Sequence, residues 1–148
     1  MSGHPQLGDL VFGLDCTLAT VSDNQGNSQI VIEQTPPAGE TPDINLSSTV
    51  TFGGILAGFI VGIPISFTVN YFATPVGGGA AGPAPLASKS VTTSPAKLIY
   101  SGADTQPTPS PKATSLAPGV YNLTAVVSFG GNPPVTAFAE GGLIEIYP

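Results

Sequence analysis

Apolar and polar residues alternate with a period of two along much of the chain, and this alternation limits the possible folds more than any other feature. The clearest example is Gly119–Phe129, where every second residue from Tyr121 onward is apolar. Successive side chains of a strand point to opposite faces, so the pattern is typical of a half-buried strand. We find no stretch of twelve residues that has helical apolar spacing and is free of Gly and Pro. The sequence therefore predicts an all-β fold.

The alternating segments predict about eight strands, within a range of 7–9, separated by turn and loop signals. The predicted strands are Leu10–Val21, Gln29–Glu33, Ser48–Ile63, Ile65–Ala73, Ser88–Thr93, Ala96–Tyr100, Gly119–Phe129 and Val135–Tyr147. The first two are expected to form a hairpin around a turn at Asp23–Asn27. This spacing predicts an antiparallel sandwich in a single domain over residues 1–148. Residues 1–7 are expected to form a flexible tail, and residues 75–87 and 101–118 to form Pro/Gly/Ser-rich loops.

One segment resembles a known kind of domain. Leu116-Ala117-Pro118-Gly119-Val120-Tyr121-Asn122-Leu123-Thr124-Ala125 is similar to the entry of the penultimate strand in bacterial immunoglobulin-like domains. There, a Pro/Gly corner precedes a tyrosine whose hydroxyl bonds back to the preceding loop. The resemblance covers about the last thirty residues and implies an immunoglobulin-like sandwich. It implies no activity, and the Cys, Trp, Cys core of antibody domains is absent, because the chain has one Cys and no Trp.

The charge of the chain excludes several classes of partner. The formal net charge is −6, there is no Arg, and the only cationic side chains of Lys or Arg type are Lys89, Lys97 and Lys112. Nucleic-acid binding requires a basic patch that neutralises phosphates, and attraction to anionic lipid requires the same. Only 8% of the residues are charged, so electrostatic repulsion gives little protection against self-association.

The residues needed for catalysis are scarce, and the sequence predicts a protein that is not an enzyme. His4 is the only histidine and lies in the predicted tail, while Cys16 is the only cysteine and is expected to be a small buried apolar residue. Glu140 and Glu145 are five residues apart on one predicted strand, so a regular strand would place them on opposite faces. A bulge at Gly141-Gly142 could shift that parity.

No metal or cofactor is expected. Asp23, Asn24 and Asn27 are weak candidate oxygen ligands for a hard cation, but a hairpin turn explains these residue types without a metal. The glycines of Gly77–Gly82 lack the Lys and the following helix of a phosphate-binding loop.

The apolar run Phe52–Ile65 is too short for a membrane-spanning helix and is broken by glycines and by Pro64. We interpret it as a buried strand or as one face of an assembly. The residues predicted to take part in that interaction are Gly53, Gly54, Ile55, Phe59 and Phe72.

The leading functional hypothesis is a non-enzymatic structural or protein–protein interaction module, either a homo-oligomer or a subunit of a larger assembly. A carbohydrate-binding sandwich is the first alternative, with Tyr71, Phe72, Tyr100 and Tyr147 as the only candidates for an aromatic platform. A membrane-active β-hairpin is the second. The N-terminus lacks a signal-peptide pattern, so we expect a cytoplasmic protein or export by a signal-independent route.

Overall fold

Strands and two short 3₁₀ turns provide the regular structure of the computed structural model, which describes residues 13–18, 31–53, 62–63, 65–79, 82–129 and 135–148. The strands are β1 (Gly13–Leu18), β2 (Val31–Glu33), β3 (Ser48–Gly53), β4 (Ser66–Pro75), β5 (Ala87–Thr92), β6 (Ile99–Tyr100), β7 (Gly119–Phe129) and β8 (Val135–Tyr147). The 3₁₀ turns are Gly102–Asp104 and Ala113–Ser115, and these ranges contain no α-helix. The all-β prediction is confirmed.

The strands form two sheets. One has five strands in the order β2-β8-β7-β4-β5, and the other has three in the order β1-β3-β6. All neighbours are antiparallel except β2, which runs parallel to β8. The β1 strand also lies against β8 of the larger sheet.

The predicted hairpin between the first two strands is wrong for the residues that the structure describes. β1 pairs with β3 in the smaller sheet, whereas β2 pairs with β8 in the larger one. Alternation specifies which side of a strand is buried, but it does not specify which strand lies beside it. The turn predicted at Asp23–Asn27 lies outside the described residues.

The inward faces of the two sheets form the core, and the alternation predicted for β7 is confirmed, with β4 alternating in the same way. Phe67, Val69 and Tyr71 are buried on β4, and the inward residues of β7 from Tyr121 to Val127 are buried as well. Cys16 is also fully buried, as predicted. The side chains at positions 13–15, 18, 129, 135 and 136 lie outside the description.

Three aromatic rings join the sheets. Phe52 of β3 and Tyr100 of β6 lie in the smaller sheet, and Phe67 of β4 lies in the larger one. Their ring centroids are 5.4 to 5.8 Å apart and each pair meets edge to face. This is the favoured arrangement of aromatic pairs, because the positive edge of one ring meets the negative face of the next.

A buried hydroxyl network fixes β3, β4 and the loop after the first 3₁₀ turn. The Tyr71 hydroxyl donates to the carbonyl of Thr105 at 2.8 Å and lies 3.1 Å from Ser48 Oγ. Thr105 Oγ1 donates to the Ser48 carbonyl at 2.7 Å and accepts from the Ser48 amide at 3.0 Å. Burial raises the pKa of the Tyr71 hydroxyl above its ordinary value. These buried polar groups therefore satisfy one another away from water.

The long segment 101–118 is held against the rest of the chain at its second 3₁₀ turn. Gln34 Nε2 donates to the carbonyls of Ala113 at 3.2 Å and Leu116 at 2.6 Å. The Ile44 amide donates to the Pro111 carbonyl at 2.8 Å. Lys112 forms an ion pair with Asp43, and this contact is the main reason that the pKa of Asp43 lies below its ordinary value.

Candidate interaction face

The predicted interaction residues do not come together where the structure describes them. Gly53 ends β3 in the smaller sheet, and Phe72 lies half-buried on the outer face of β4 in the larger one. Gly54, Ile55 and Phe59 lie outside the described residues, as do the candidate cation ligands Asp23, Asn24 and Asn27. A different surface, on the five-stranded sheet, stands out instead.

The outer face of the five-stranded sheet carries large apolar side chains on neighbouring strands. The exposed fractions are 50% for Phe138, 55% for Leu143, 54% for Tyr147, and 40% each for Val31 and Val120. We call the outward residues of β2, β7 and β8, together with Phe72 of β4, the outer face. At about 3.3 Å per residue and 4.8 Å between strands, it measures roughly 25 by 15 Å.

Cross-strand register places these residues in adjacent rows. Glu145 of β8 lies between Val31 of β2 and Val120 of β7, and these two valines and Leu143 line a shallow depression of about 190 Å³. Directly opposed residues on one face are near enough for their side chains to pack together. Phe138 is opposite Val126, and Glu140 is opposite Thr124, which is paired in turn with Phe72.

A β-bulge in β8 determines which residues reach this face. The pairing of β7 with β8 shifts between Leu123 and Thr124, so that Gly141 has no partner of its own. Gly142 has φ +98°, a conformation that residues with a Cβ rarely adopt. Because of the extra residue, Glu140 and Glu145 both point outward, which is the parity shift that the glycine pair suggested.

The same two carboxylates are poorly placed for a joint acid–base reaction. They lie four strand steps apart after the bulge, or roughly 13 Å along β8. Paired carboxylates of glycosidases are about 5–9.5 Å apart. Neither glutamate makes a hydrogen bond or ion pair with the other among the described contacts.

The charge on the outer face is entirely negative. Glu33, Glu140 and Glu145 point outward from β2 and β8. The chain has no arginine, and all three lysines are described and lie elsewhere. Lys89 is opposite Val69 on the core-facing side of edge strand β5, and Lys97 and Lys112 lie in loops.

Two of those lysines are already engaged by carboxylates. Lys97 Nζ lies 2.9 Å from Asp104 Oδ2, and Lys112 pairs with Asp43. The hydrogen bond from Lys97 is the largest of the contributions that lower the pKa of Asp104, and Lys89 contributes at longer range. Lys97 and Lys112 therefore lie in loops and Lys89 lies on β5, all away from the outer face.

The aromatic residues considered for a carbohydrate platform are not arranged as one. Tyr71 and Tyr100 are 1% and 2% exposed and belong to the core. Phe72 and Tyr147 remain at the surface, but they lie on different strands with β7 between them. This placement corrects the expectation that all four could be surface candidates.

A second concavity, of about 520 Å³, lies between the start of β5 and segment 101–118. Proline rings at positions 83, 107, 109 and 111 form much of its wall. Among the described residues, no group of three or more His, Cys, Asp or Glu side chains could hold a metal ion. Within the same ranges, no helix has the length and apolar character to cross a bilayer.

The tyrosine expected from the resemblance is placed as the resemblance implies. Tyr121 stands at the start of β7, and its hydroxyl donates to the Ala117 carbonyl at 2.6 Å. The bond closes the Pro118-Gly119 corner and fixes how segment 101–118 enters β7.

Sequence reasoning missed most of the outer face. The sequence pattern places Phe138 and Leu143 on a strand without a separate role and offers Tyr147 only for a carbohydrate platform, although the alternation of apolar and acidic residues along β8 is visible in the sequence. This alternation indicates a single outward face only when the extra residue of the bulge is counted.

Known protein families, curated proteins and solved structures were compared with the chain, and none matches it. Its function must therefore be inferred from geometry and charge.

Proposed function

We propose that the chain is an immunoglobulin-like β-sandwich that acts as a non-enzymatic structural and protein–protein interaction module. The fold proposal is supported by the grouping of strands. In variable-type domains, strands A, B and E share one sheet, and strands G, F, C and C′ form the other. β1, β3 and β6 correspond to the first group, and β8, β7, β4 and β5 to the second.

The corner at Tyr121 supports the same proposal independently. In immunoglobulin-like domains the tyrosine corner lies near the start of strand F, and its hydroxyl bonds to a carbonyl a few residues upstream. Tyr121 begins β7, the strand that corresponds to F, and bonds to a carbonyl four residues earlier. The parallel strand β2 adds to the sheet beside β8.

The single observation that carries the functional proposal is the group of large apolar side chains exposed on β2, β7 and β8. Isolated exposed apolar residues are normal, but several on one face form a larger exposed area, and the largest such area of a protein is often functional. The dimensions above give roughly 400 Å² for the outer face as a whole, its carboxylates and polar residues included, or about half of what one partner contributes to an interface of standard size. The polar outward residues of β4 and β5 supply the adjoining rim, as at many transient interfaces.

A photo-crosslinking amino acid placed at position 143 tests this function in cells of the source organism. We expect a discrete protein adduct from position 143 and from position 138. Ile99 is the matched control, because it is 55% exposed like Leu143 but lies on the smaller sheet. Equal adducts from 99 and 143, or none from either together with a monomer in sedimentation, would contradict the proposal.

A further inference from the structure

We propose that the outer face binds a protein surface on which lysine or arginine side chains alternate with apolar ones, and that this partner is not a second copy of the chain. The inference rests on the function proposed above and identifies the chemistry of the partner. It follows from the charge of the face and from the order in which apolar and acidic residues occur along it.

From Phe138 onward, the outward residues of β8 other than glycine alternate between apolar and acidic. In chain order they are Phe138, Glu140, Leu143, Glu145 and Tyr147. The bulge keeps this order on one face, because without the extra residue Leu143 and Glu145 would not point to the same side as Glu140. Neighbouring outward positions of a strand are about 7 Å apart. A complementary partner therefore places cations about 13 Å apart, with an apolar side chain between them.

The surroundings of each carboxylate favour a cationic ligand. Glu145 lies between two valines, and Glu140 lies in the row of Thr124 and Phe72. No lysine is on this face to neutralise either of them. The apolar neighbours exclude water when a partner docks, and the loss of water strengthens the attraction between a carboxylate and an incoming cation.

A second copy of the chain fits this face badly. A symmetric dimer places the same patch on both subunits, so the carboxylates of Glu33, Glu140 and Glu145 would face a second copy of the same negatively charged surface. Like charges brought together across an interface are unfavourable and select against that partner. Lys97 and Lys112 are held by Asp104 and Asp43, so a head-to-tail contact through either would have to break an ion pair. The third lysine, Lys89, is opposite Val69 on the core-facing side of edge strand β5.

The test uses the full chain and three synthetic β-hairpin peptides of equal length. The first has lysine and leucine alternating on one face, the second replaces its lysines with glutamate, and the third replaces its leucines with serine. Binding is followed by NMR chemical-shift changes of the labelled chain, first in 50 mM and then in 500 mM NaCl. Only the first peptide is expected to shift the amide signals of β7 and β8. Its affinity should fall about tenfold at the higher salt, because added ions screen exposed charges.

Variants separate the contribution of charge from that of apolar contact. The double variant E140Q/E145Q should bind the lysine–leucine peptide about tenfold more weakly and lose most of the salt dependence. L143S should weaken binding but keep the salt dependence. E40Q, which removes a carboxylate from the loop between β2 and β3, is the matched control and should bind like the wild type.

Each outcome decides between the two proposals. If all three peptides bind equally, or E140Q/E145Q binds like E40Q, the inference about a cationic partner is overturned while the face remains an interaction site. If the wild-type chain dimerises with shifts confined to β7 and β8, the second copy is the occupant and the inference is again overturned. If none of the peptides binds, the inference is overturned, and the proposed function is overturned as well only if position 143 also gives no crosslinked adduct and the chain stays monomeric at millimolar concentration.

Discussion

Two tyrosine hydroxyls on strands of the five-stranded sheet act in different surroundings. The Tyr121 hydroxyl closes a corner at the surface, and the Tyr71 hydroxyl joins three segments inside the core. The hydroxyl of Tyr71 depends more on its protein partners, because no water in the core can take the place of a missing hydrogen-bond partner. Ser48, Tyr71 and Thr105 satisfy one another there, so the loss of one hydroxyl leaves the others short of a bond.

At this scale we expect Tyr71→Phe to lower the free energy of unfolding by about 1–3 kcal/mol, the cost of leaving buried polar groups unsatisfied. Urea denaturation measures the change. Tyr147→Phe is the matched control, because this side chain is 54% exposed, and it should stay within about 0.5 kcal/mol of the wild type. If the two variants were equally stable, the hydroxyl network would have no role in stability.

At the scale of elements, the alternation of apolar residues predicts which side of β4 and β7 is buried. It does not predict which strands pair with β1 and β2. Every second residue of β4 and β7 is apolar over a long stretch, so burial on one side fixes their parity. β2 is only three residues long, and nothing in Val31–Glu33 distinguishes β1 from β8 as its neighbour. Strand pairing depends on residues distant in the sequence, which a local pattern does not contain.

The residues of the candidate site were also predictable from the sequence only in part. Phe72 was predicted to take part in an interaction and lies on the outer face, whereas Phe138 and Leu143 received no role. Their exposure depends on which side of β8 faces the core and on how many residues the bulge takes up. The glycine pair predicted the bulge, but its consequence for the surface required the register of β7 against β8.

Segment 101–118 shows how an element without regular strands is held by a few contacts. Asp43 and Lys112 form a bridge between this segment and the chain before β3, through both their backbones and their side chains. Because Lys112 lowers the pKa of Asp43, the stabilisation is present above the ordinary aspartate value of 3.8. It is lost as the pH falls through the lower value of the folded state.

We therefore expect Lys112→Gln to raise the pKa of Asp43 toward its ordinary value, with the remaining depression due to Thr41. A carboxyl-carbon NMR titration between pH 2 and pH 6, a range chosen to span the ordinary aspartate pKa, measures the midpoint. Lys97→Gln is the control, since it should move the midpoint of Asp104 and leave Asp43 unchanged. An unchanged Asp43 midpoint in Lys112→Gln would show that Lys112 does not stabilise the ionised form of Asp43. The ion pair would then contribute nothing to holding the segment.

For the whole molecule, the carboxylates of the outer face and the lysines lie on different surfaces. The acidic residues of β2 and β8 lie on the outer face beside apolar groups, while the lysines lie near the loops and on β5. β5 is one edge of the five-stranded sheet and presents unpaired backbone groups. Such an edge is a template for uncontrolled pairing, and a charged residue directed inward is one way in which proteins prevent it. Lys89, opposite buried Val69 in the middle of β5, has this position.

Replacing Lys89 with valine tests whether the edge is protected in this way. The substitution removes the inward charge and leaves an uncharged edge strand of Ala, Ser, Thr and Val, so a second sheet could pair with it. We expect Lys89→Val to form oligomers at concentrations about tenfold below any at which the wild type does, measured by light scattering after size exclusion. Ser90→Val is the matched control, because it adds the same β-branched residue to the solvent side of the same strand and keeps Lys89. If both variants associate equally, added apolar surface explains the effect. If neither variant associates, edge strand β5 is protected by something other than Lys89. Because neither substitution changes a residue of the outer face, the test concerns pairing at the sheet edge and not docking on that face.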